Sequence, residues 1–445
     1  MHAVLNRILK PTLLSLAVAS SALLPASPSA QSLNSSALLA AGQAARPGGT
    51  TLPANFNVSE FESLARQIVT VGKIPGMAMA IVHDGKIISE RGYGMTKPWG
   101  GVGATAQTVY RLASLSKSFA STTTALVVED GKLNWNTPVT SLLPDFRLID
   151  ADSTAALDVA DLLSHRTGLP KNAYDRDIER GVDYPTLRGR LSTVKLTCRP
   201  GTCYNYQNVA YSIIGDMIQR STGVDYRTSV MNRVLKPLGM SNSSLGLWSL
   251  KGSGNWAQPT VFRGGAWNVV EPKPTYYEVM PAAGVNASVR DMALYMIAQL
   301  GHRPDVLSPS VLRTLHTELV DTPREATQSA WRRERVSSAG YALGWRTLKY
   351  MGRDVIFHGG AVQGYRTAIA MMPDKDIGVV LLWNSESGTP SGLLPMVLDR
   401  AIGITSKSWV RINGLNLGEY EEGEVPPSSA PASQKDPLGE LIKSL

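Results

Sequence analysis

The chain has 445 residues, of which 43% are hydrophobic and 18% are charged. This is enough apolar sequence for a large core, and the length suggests two or three structural units. The formal net charge is +8. The densest basic cluster, WRRERV at 331–336, is interrupted by Glu334 and has no series of aromatic residues that would stack on bases. We therefore interpret it as a solvated surface and exclude nucleic acid as a partner.

The N-terminus has the pattern of a secretory signal peptide. Arg7 and Lys10 precede the apolar segment PTLLSLAVASSALL, and the small residues of PASPSA follow it. An uncleaved membrane anchor is the alternative, but the apolar segment is short and ends at Pro25 and Pro28. We expect cleavage near residues 26–30, a periplasmic or secreted protein, and no stable membrane span after cleavage.

The chain has two cysteines, Cys198 and Cys203, in LTCRPGTCYNY. In an oxidising compartment, a Pro-Gly turn between two nearby cysteines favours a disulfide. Two buried free thiols are the alternative. Two thiols and six scattered histidines make a poor zinc site, so no metal is expected.

The first predicted element is a helix that begins at SEFE, residues 59–62. GMAMAIVHDGKIISERGYG at 76–94 predicts two strands around a central Asp-Gly turn, which is a strong hairpin signal. Ser114 begins a further helix that runs to Glu129. The middle of the chain is predicted to be mostly helical or irregular.

Strand patterns return late in the chain. DVIFHGG, YRTAIAMMP and DIGVVLLWN are short apolar or alternating segments separated by turn sequences, which predicts an antiparallel meander. SGLLPMVLDRAIG at 391–403 predicts a last helix. The simplest topology joins the N-terminal hairpin and this meander in one antiparallel sheet, with the first and last helices on one face and the helical middle as an insertion. The predicted fold class is α+β, an α/β sandwich.

Ser114 and Lys117 lie three residues apart in RLASLSKSFA, so they share one face of the predicted helix. A serine hydroxyl needs a neighbouring base to become a good nucleophile. Lysine can be that base only if burial or nearby positive charge keeps its amine partly neutral, and the apolar Leu115 and Phe119 favour burial. The motif S-x-x-K alone is common by chance, so the pair needs support from other segments.

YNYQNVAY at 204–211 supplies a Y-x-N triplet. The phenol of Tyr206 is suited to shuttle a proton beside the amine. The amide of Asn208 is suited to hold the Lys117 ammonium or a substrate carbonyl.

FHGGAVQGYRT at 357–367 supplies a histidine followed by two glycines at a predicted strand end. Gly359 and Gly360 would let a substrate backbone lie close to the strand. The N–H of Ala361 would then face an oxyanion. A single histidine such as His358 is more often a satisfied strand-edge residue, so its functional reading depends on the other segments.

Together and in this order, the three segments resemble the serine β-lactamase and penicillin-binding protein superfamily, with its S-x-x-K, S-D-N and K-T-G motifs. Y-x-N as the second motif and H-x-G as the third resemble the class C β-lactamase-related branch, which includes DD-peptidases, D-aminopeptidases and esterases. The stretches LLSHRTGLP, PLGM, PAAGVNASVRDMA and ALGW agree with it. The resemblance spans about residues 60–403 and implies a β-lactamase/transpeptidase-like fold.

The resemblance also implies a role for each motif residue. Ser114 is expected to be the nucleophile that becomes acylated, and Lys117 to assist its deprotonation. Tyr206 is expected to act as general base or proton relay, and Asn208 to orient Lys117 and the substrate amide. His358 is expected to be a polar wall residue and a proton donor.

The backbone N–H groups of Ser114 and Ala361 are expected to form the oxyanion hole, which commonly contributes about 3 kcal/mol per donor. His165 in LLSHRTGLP is assigned to a structural loop of the pocket. No metal or organic cofactor is required, because nucleophile, base and oxyanion donors all come from the chain.

One position departs from the superfamily pattern. Gly359 lacks the hydroxyl that K-T-G carries at its middle position, where the family uses it to hold a substrate carboxylate. Arg366 and Asn384, on neighbouring predicted strands, are candidates to replace it, and an arginine fork would be the stronger anchor. If neither reaches the site, neutral esters or amides become the better substrates.

The sequence thus predicts an exported serine hydrolase acting on β-lactams or cell-wall-type D-amino-acid peptides. A carboxylesterase on the same scaffold and a penicillin-binding protein with little turnover are the alternatives. The predicted organisation is a signal peptide at 1–30, a flexible segment at 31–54, a catalytic domain at 55–420 with a helical subdomain at about 120–330, and a disordered tail at 421–445.

Overall fold

The computed structural model describes residues 50–404, 407–412 and 415–417. The predicted signal peptide, residues 31–49 of the predicted flexible segment, and the predicted tail lie outside the described residues. Thr50 donates its hydroxyl to the carbonyl oxygen of Lys375 at 2.8 Å. The segment predicted to be flexible therefore already contacts the folded body at residue 50.

The strands of the described residues are numbered here in chain order. They are β1 (Gly76–His83), β2 (Lys86–Gly94), β3 (Val109–Arg111), β4 (Ser244–Leu245), β5 (Thr260–Arg263), β6 (Ala266–Val269), β7 (Val285–Ser288), β8 (Val320–Asp321), β9 (Val336–Tyr341), β10 (Arg346–Tyr350), β11 (Arg353–Val362), β12 (Tyr365–Met372), β13 (Ile377–Trp383), β14 (Val410–Ile412) and β15 (Leu415–Leu417).

The helices are numbered in the same way. They are α1 (Val58–Thr70), α2 (Ser116–Glu129), α3 (Val139–Leu142), α4 (Ala151–Ala156), α5 (Val159–Leu163), α6 (Asp175–Glu179), α7 (Tyr184–Arg190), α8 (Val209–Thr222), α9 (Tyr226–Val230), α10 (Leu247–Gly252), α11 (Met280–Ala283), α12 (Val289–Gln299), α13 (Pro309–His316), α14 (Ala330–Arg335) and α15 (Leu393–Ala401). Shorter 3₁₀ turns lie at Ala113–Leu115, Leu191–Thr193, Thr275–Tyr277, Pro323–Thr327, Pro373–Lys375 and Thr389–Gly392, with a π-helical turn at Met231–Leu235.

The main sheet has eight strands in the order β2-β1-β13-β12-β11-β10-β9-β8, and neighbouring strands are antiparallel throughout. The N-terminal hairpin therefore joins the C-terminal meander at β13, as predicted. Asp84 and Gly85 connect β1 to β2 with φ angles of 50° and 69°. Two successive positive φ values are the geometry that favours an Asp-Gly turn in a hairpin.

The sheet is buried on both faces, which explains why the central strand β13 is apolar at every position. Side chains alternate between the faces of a strand, and the residues of β1 divide accordingly. Met77, Met79 and Ile81 belong to the cluster that contains α1 and α15, whereas Ala78, Ala80 and Val82 belong to the larger cluster formed with the helical part of the chain. The first and last helices thus share one face, as the sequence predicts.

The chain between β2 and β8 contributes most of the helices, and the turn that carries Ser114 lies where this region meets the sheet. The predicted limits of the helical subdomain and of the other segments stay predictions. Within residues 50–404 and the short described segments after them, we find no helix whose length and hydropathy would suit a membrane span.

Candidate active site

Ser114 lies in the 3₁₀ turn between strand β3 and helix α2. The residue before it, Ala113, is fully buried and has a φ of 51°, a left-handed conformation that is uncommon for a residue with a Cβ. This conformation turns the chain sharply just before the serine. Ser114 is half-buried and lines a cavity of about 800 Å³.

Gly360 lets strand β11 pack directly against this turn. A Cβ atom at Gly360 would lie 2.2 Å from the carbonyl oxygen of Leu112 and 2.4 Å from Oγ1 of Thr367, which itself donates to the same carbonyl at 3.1 Å. The sequence predicts that the glycines admit a substrate backbone. The structure shows that Gly360 is already required by the approach of the protein's own backbone, which places Ala361 and Ser114 on the wall of one cavity.

Lys117 is fully buried one turn into the same helical segment. Its Nζ donates to Oδ1 of Asn208 at 2.7 Å and to the carbonyl oxygen of Ala282 at 3.1 Å. The same atom lies 4.5 Å from the ring centroid of Tyr206. Asn208 and Tyr206, which the sequence predicts to act together with Lys117, therefore both lie beside this amine.

The pKa of the Lys117 amine lies well below its usual value, chiefly because burial penalises the ammonium form. The carboxylate of Asp175 opposes this shift, and the positive charge of Arg346 adds to it. The lowered pKa favours the neutral amine, which is the form that can accept a proton.

Tyr206 and Ser114 line the same cavity, and the Ser114 side chain acts on the Tyr206 phenol. Removal of this phenol from water raises the pKa of Tyr206, although the nearby Ser114 side chain and the charge of Arg346 partly counteract this. The phenol therefore keeps its proton at neutral pH. Tyr206 thus neighbours both the candidate nucleophile and Lys117, whose Nζ lies over the face of the Tyr206 ring.

Asn208 caps the N-terminus of helix α8 and contacts charged groups with both ends of its amide. Its Oδ1 accepts from Lys117, and its Nδ2 donates to Oδ2 of Asp175 at 2.9 Å. Asp175 begins the short helix α6 and lines the cavity. Sequence analysis missed Asp175, because nothing in the local pattern indicates that this short helix lies against Asn208.

A disulfide closes the loop at the rim of the cavity. Cys198 and Cys203 are bonded, with their Cα atoms 6.3 Å apart, as the sequence predicts. Cys203 lines the cavity together with Tyr204 and Tyr206, which follow it along the chain. The cross-link therefore lies three residues before the phenol of the candidate relay.

His358 lies behind the cavity wall. It is 1% exposed, its Nε2 is 3.1 Å from the hydroxyl of Tyr341, and its Nδ1 is 2.7 Å from the carbonyl oxygen of Gly359. Burial holds the pKa of His358 well below its usual value, and the charges of Arg346 and Lys117 lower it further. The imidazole is therefore neutral. His358 does not line the cavity, whereas the sequence predicts it to be a residue of the cavity wall.

His165 packs beneath Tyr206, with their ring centroids 4.3 Å apart. Its Nδ1 accepts the backbone N–H of Gln207 at 3.1 Å, and its pKa lies well below the usual value because of burial. This neutral, fully buried ring fixes the loop that carries Tyr206, in keeping with a structural assignment.

Arg366 and Asn384 do not line the cavity. Arg366 folds back onto its own turn, where Nη1 donates to the carbonyl oxygens of Val362 and Tyr365 at 2.7 and 2.8 Å. Asn384 is fully buried, and its Nδ2 donates hydrogen bonds to two backbone carbonyl oxygens. The structure thus does not bring either candidate carboxylate anchor to Ser114.

Arg346 supplies positive charge on the cavity wall instead. Its Nη1 lies 3.0 Å from Oε1 of Glu325 and 3.3 Å from the hydroxyl of Tyr204. Glu325 also binds Arg332 at 3.0 Å. Arg346 directly follows the ALGW stretch, but the sequence did not identify it as a site residue. A strand pattern does not show which arginine faces the cavity.

An antiparallel sheet covered by helices, with a serine-lysine-tyrosine cluster between sheet and helices, defines the β-lactamase/transpeptidase-like fold. The chain belongs to the beta-lactamase family, whose profile matches residues 61–400. This places it in the serine β-lactamase and penicillin-binding protein superfamily that its motifs resemble.

Two curated relatives illustrate the range of the family. Unguisins hydrolase ungD' of Aspergillus campestris is 29% identical over 340 residues, which is 73% of this chain and 61% of the relative. Protein flp of Staphylococcus aureus is 26% identical over 340 residues, 75% of this chain and 64% of the relative. The chain thus spans less than two thirds of the length of these relatives.

Three solved structures share the fold at lower sequence identity. A penicillin-binding protein homologue from Pyrococcus abyssi has a TM-score of 0.69 at 23% identity, covering 78% of both chains. EstCE1, a hydrolase with promiscuous acyltransferase activity, has a TM-score of 0.64 at 19% identity, covering 77% of this chain and 97% of its own. The D-amino acid amidase of Ochrobactrum anthropi SV3 has a TM-score of 0.61 at 19% identity, with the same coverage.

Proposed function

We propose that this protein is a serine hydrolase that forms an acyl-enzyme on Ser114. The observation that carries the proposal is that Ser114 and Tyr206 line one cavity beside the buried Lys117 amine, whose Nζ lies 4.5 Å from the centroid of the Tyr206 ring and whose pKa is lowered. A serine becomes nucleophilic when a neighbouring base removes its proton. Lys117 is the base and Tyr206 the relay that we assign to this hydroxyl.

In the acylation step, Oγ of Ser114 attacks the substrate carbonyl carbon and its proton passes through the Tyr206 hydroxyl to the neutral Lys117 amine. The pKa directions favour this order, because Lys117 is the group made basic and Tyr206 is the group kept protonated. The backbone N–H groups of Ser114 and Ala361 stabilise the tetrahedral oxyanion. Collapse of this intermediate releases the leaving group, which takes up the proton held by the amine.

In the deacylation step, water attacks the ester carbonyl of the acylated serine. Tyr206 and Lys117 accept the proton of that water and return it to Oγ as the acid product leaves. Asn208 keeps Lys117 in place through both steps by accepting one of its N–H groups at 2.7 Å.

For the substrate we propose a β-lactam or a cell-wall-type D-amino-acid peptide, and for the location the periplasm or the exterior. The signal-like N-terminus and the disulfide are compatible with export. The names of two structural neighbours, a penicillin-binding protein homologue and a D-amino acid amidase, support this substrate class. Assignment to the class C-related branch rests on the Y-x-N and H-x-G motifs.

A carboxylesterase is the second candidate. Gly359 offers no side-chain hydroxyl, and Arg366 and Asn384 are engaged away from the cavity. Of the cations that line the cavity, Lys171, Arg324 and Arg346, the last is paired with Glu325. Because the expected carboxylate anchors are engaged elsewhere, neutral esters or amides are the substrates of this second candidate function. A penicillin-binding protein that acylates with little turnover is a third candidate that shares the same first step.

One experiment separates the three candidates. Nitrocefin, a D-Ala-D-Ala peptide and p-nitrophenyl acetate are assayed side by side, and intact mass is recorded for the acyl adduct. Lactam or peptide turnover supports the leading proposal, ester turnover alone supports the esterase, and a persistent penicillin adduct without product supports the third. Ser114→Ala is expected to abolish acylation in every case, and normal turnover by this variant would overturn the whole proposal.

A further inference from the structure

The amide of Asn208 is held in one orientation by a carboxylate outside the predicted catalytic set. An ionised carboxylate only accepts hydrogen bonds. Oδ2 of Asp175 lies 2.9 Å from Nδ2 of Asn208, so this end of the amide must be the NH₂ group. The carbonyl Oδ1 then points to Nζ of Lys117, which is the arrangement observed at 2.7 Å.

This orientation decides what the amine of Lys117 can do. A neutral amine has two N–H donors and one lone pair. The carbonyl oxygens of Asn208 and Ala282 accept the two donors, so the lone pair points away from both carbonyls. Tyr206 is the nearer of the two rings beside the nitrogen, at 4.5 Å against 5.3 Å for Tyr211. If the Asn208 amide rotated by half a turn, its NH₂ would donate into the lone pair and Lys117 would lose its basicity.

We propose that Asp175 is a positioning residue that fixes the Asn208 amide and thereby directs the lone pair of Lys117 toward Tyr206. Asp175 acts through Asn208 and not on the substrate. The inference rests on the proposed function, because it assigns Lys117 the role of base.

The charged groups around Lys117 predict the direction in which its pKa should move in a variant, and this direction can be measured. Asp175 is the negative group that acts on this amine, and Arg346 is the positive one. Burial raises the pKa of Asp175 itself, while its hydrogen bond with Asn208 and the charge of Lys117 oppose that rise. His165 and His358 also face it, and burial keeps both neutral. The phenols of Tyr206 and Tyr211 lie 4.5 and 5.3 Å from Nζ as ring centroids, and both keep their protons because burial raises the pKa of each.

The first test is Asp175→Asn, assayed with p-nitrophenyl acetate across pH. The rise of kcat/KM at acidic pH reports the pKa of the base in the free enzyme. Loss of the negative charge lowers the pKa of Lys117, so this rise moves to lower pH. The plateau falls about tenfold, because the neutral residue accepts the Asn208 amide in either orientation and part of the population has the lone pair blocked.

Glu179→Gln is the matched control. Glu179 lies at the other end of helix α6 and accepts from the hydroxyl of Tyr276 at 3.3 Å. The substitution Glu179→Gln removes one negative charge from the same helix, as Asp175→Asn does, but it leaves the partner of Asn208 unchanged. This variant is expected to keep the plateau and to move the acidic rise less than Asp175→Asn does.

The second test exchanges the two side chains in Asp175→Asn/Asn208→Asp. The introduced carboxylate accepts from Lys117, and the introduced amide donates to that carboxylate, so the order of donors and acceptors is restored. The negative charge is now next to the amine, which raises its pKa. The acidic rise therefore moves to higher pH, opposite to the single variant.

The outcomes decide the inference separately from the proposed function. If Asp175→Asn behaves like Glu179→Gln, or if the exchange does not reverse the direction, the inference is overturned. If Asp175→Asn fails to fold, the exchange variant alone gives the test. The proposed function fails independently if the wild-type protein shows no acyl adduct on Ser114 by intact mass.

Discussion

Nζ of Lys117 lies 2.7 Å from Oδ1 of Asn208, and both side chains are buried. An ammonium in this position has a neutral acceptor beside it and little water, so its pKa falls well below the usual value. The same shift links the chemistry of the site to the stability of the fold, because the folded and unfolded chains then bind different numbers of protons.

The first prediction concerns stability against pH. Lysine in the unfolded chain has a pKa of about 10.4, and that of folded Lys117 is lower. Between the two values unfolding takes up a proton, so the free energy of unfolding rises with pH by at most about 1.4 kcal/mol per pH unit. Lys117→Met lacks this linkage. The difference between wild type and variant should grow in favour of wild type from about pH 8 to about pH 10.

Urea unfolding at several pH values measures this difference. All other titrating groups are common to the two proteins and cancel in the comparison. Parallel pH profiles for the two proteins would mean that Lys117 titrates normally in the folded state. Lys117→Met should also form the acyl adduct at least a thousandfold more slowly, because no base remains beside Tyr206.

The second prediction distinguishes two adjacent glycines. A methyl group at Gly360 would lie 2.2 Å from the carbonyl oxygen of Leu112, whereas at Gly359 the nearest atoms are 3.6 and 3.7 Å away. Gly360→Ala must push β11 away from the Ser114 turn, which should lower the free energy of unfolding by about 1–3 kcal/mol. It should also reduce acylation sharply by moving Ala361.

Gly359→Ala is the matched control for this experiment and should fold and acylate normally. Thermal unfolding and adduct formation are measured for both variants. Equal damage from the two substitutions would contradict the assignment of close backbone approach to Gly360 alone.

Much of the fold could be predicted because its signals are local. The Asp84-Gly85 turn, the apolar strands and the helix after Ser114 each follow from neighbouring residues. The short strands β8, β9 and β10 were not predicted. β8 has only two residues, and the exposed positions of β9 and β10 weaken the apolar pattern.

The candidate site was predictable only where motifs carry it. Ser114 and Lys117 come from one recognisable segment and Tyr206 and Asn208 from another, and the structure brings the two segments together. Asp175 and Arg346 act through contacts across the fold that no local pattern encodes. The carboxylate-anchor role assigned to Arg366 finds no support in the structure, because its side chain satisfies the carbonyls of its own turn.

The third prediction concerns the disulfide at the cavity rim. Closing the loop from Cys198 to Cys203 should stabilise the fold by about 2 kcal/mol on the chain-entropy estimate. Cys198→Ser/Cys203→Ser should therefore unfold at a lower urea concentration, and its free energy of unfolding should be smaller by about 2 kcal/mol. Reduction by dithiothreitol should destabilise the wild-type protein to the same extent and leave the double variant unchanged. A reductant effect on the double variant would show that it acts elsewhere.

The last prediction concerns Arg346, which lies on the cavity wall and whose Cζ is 5.8 Å from the ring centroid of Tyr206. Its positive charge lowers the pKa of Lys117. Arg346→Met should therefore move the acidic rise of kcat/KM to higher pH, on the order of one unit, whereas Arg346→Lys should leave it in place. Glu325 keeps Arg332 and Gln328 as partners, so the wall should survive the substitution.

The same pair of variants tests whether Arg346 recognises a substrate carboxylate. A bidentate fork binds a carboxylate better than a lysine does, so both variants should raise KM for a carboxylate-bearing lactam while leaving KM for p-nitrophenyl acetate unchanged. If KM for the lactam stays constant in both variants, the pairing with Glu325 at 3.0 Å satisfies the guanidinium fully. Arg346 then does not anchor a substrate carboxylate, and Lys171 and Arg324 are the other cations of the cavity wall to test for that role.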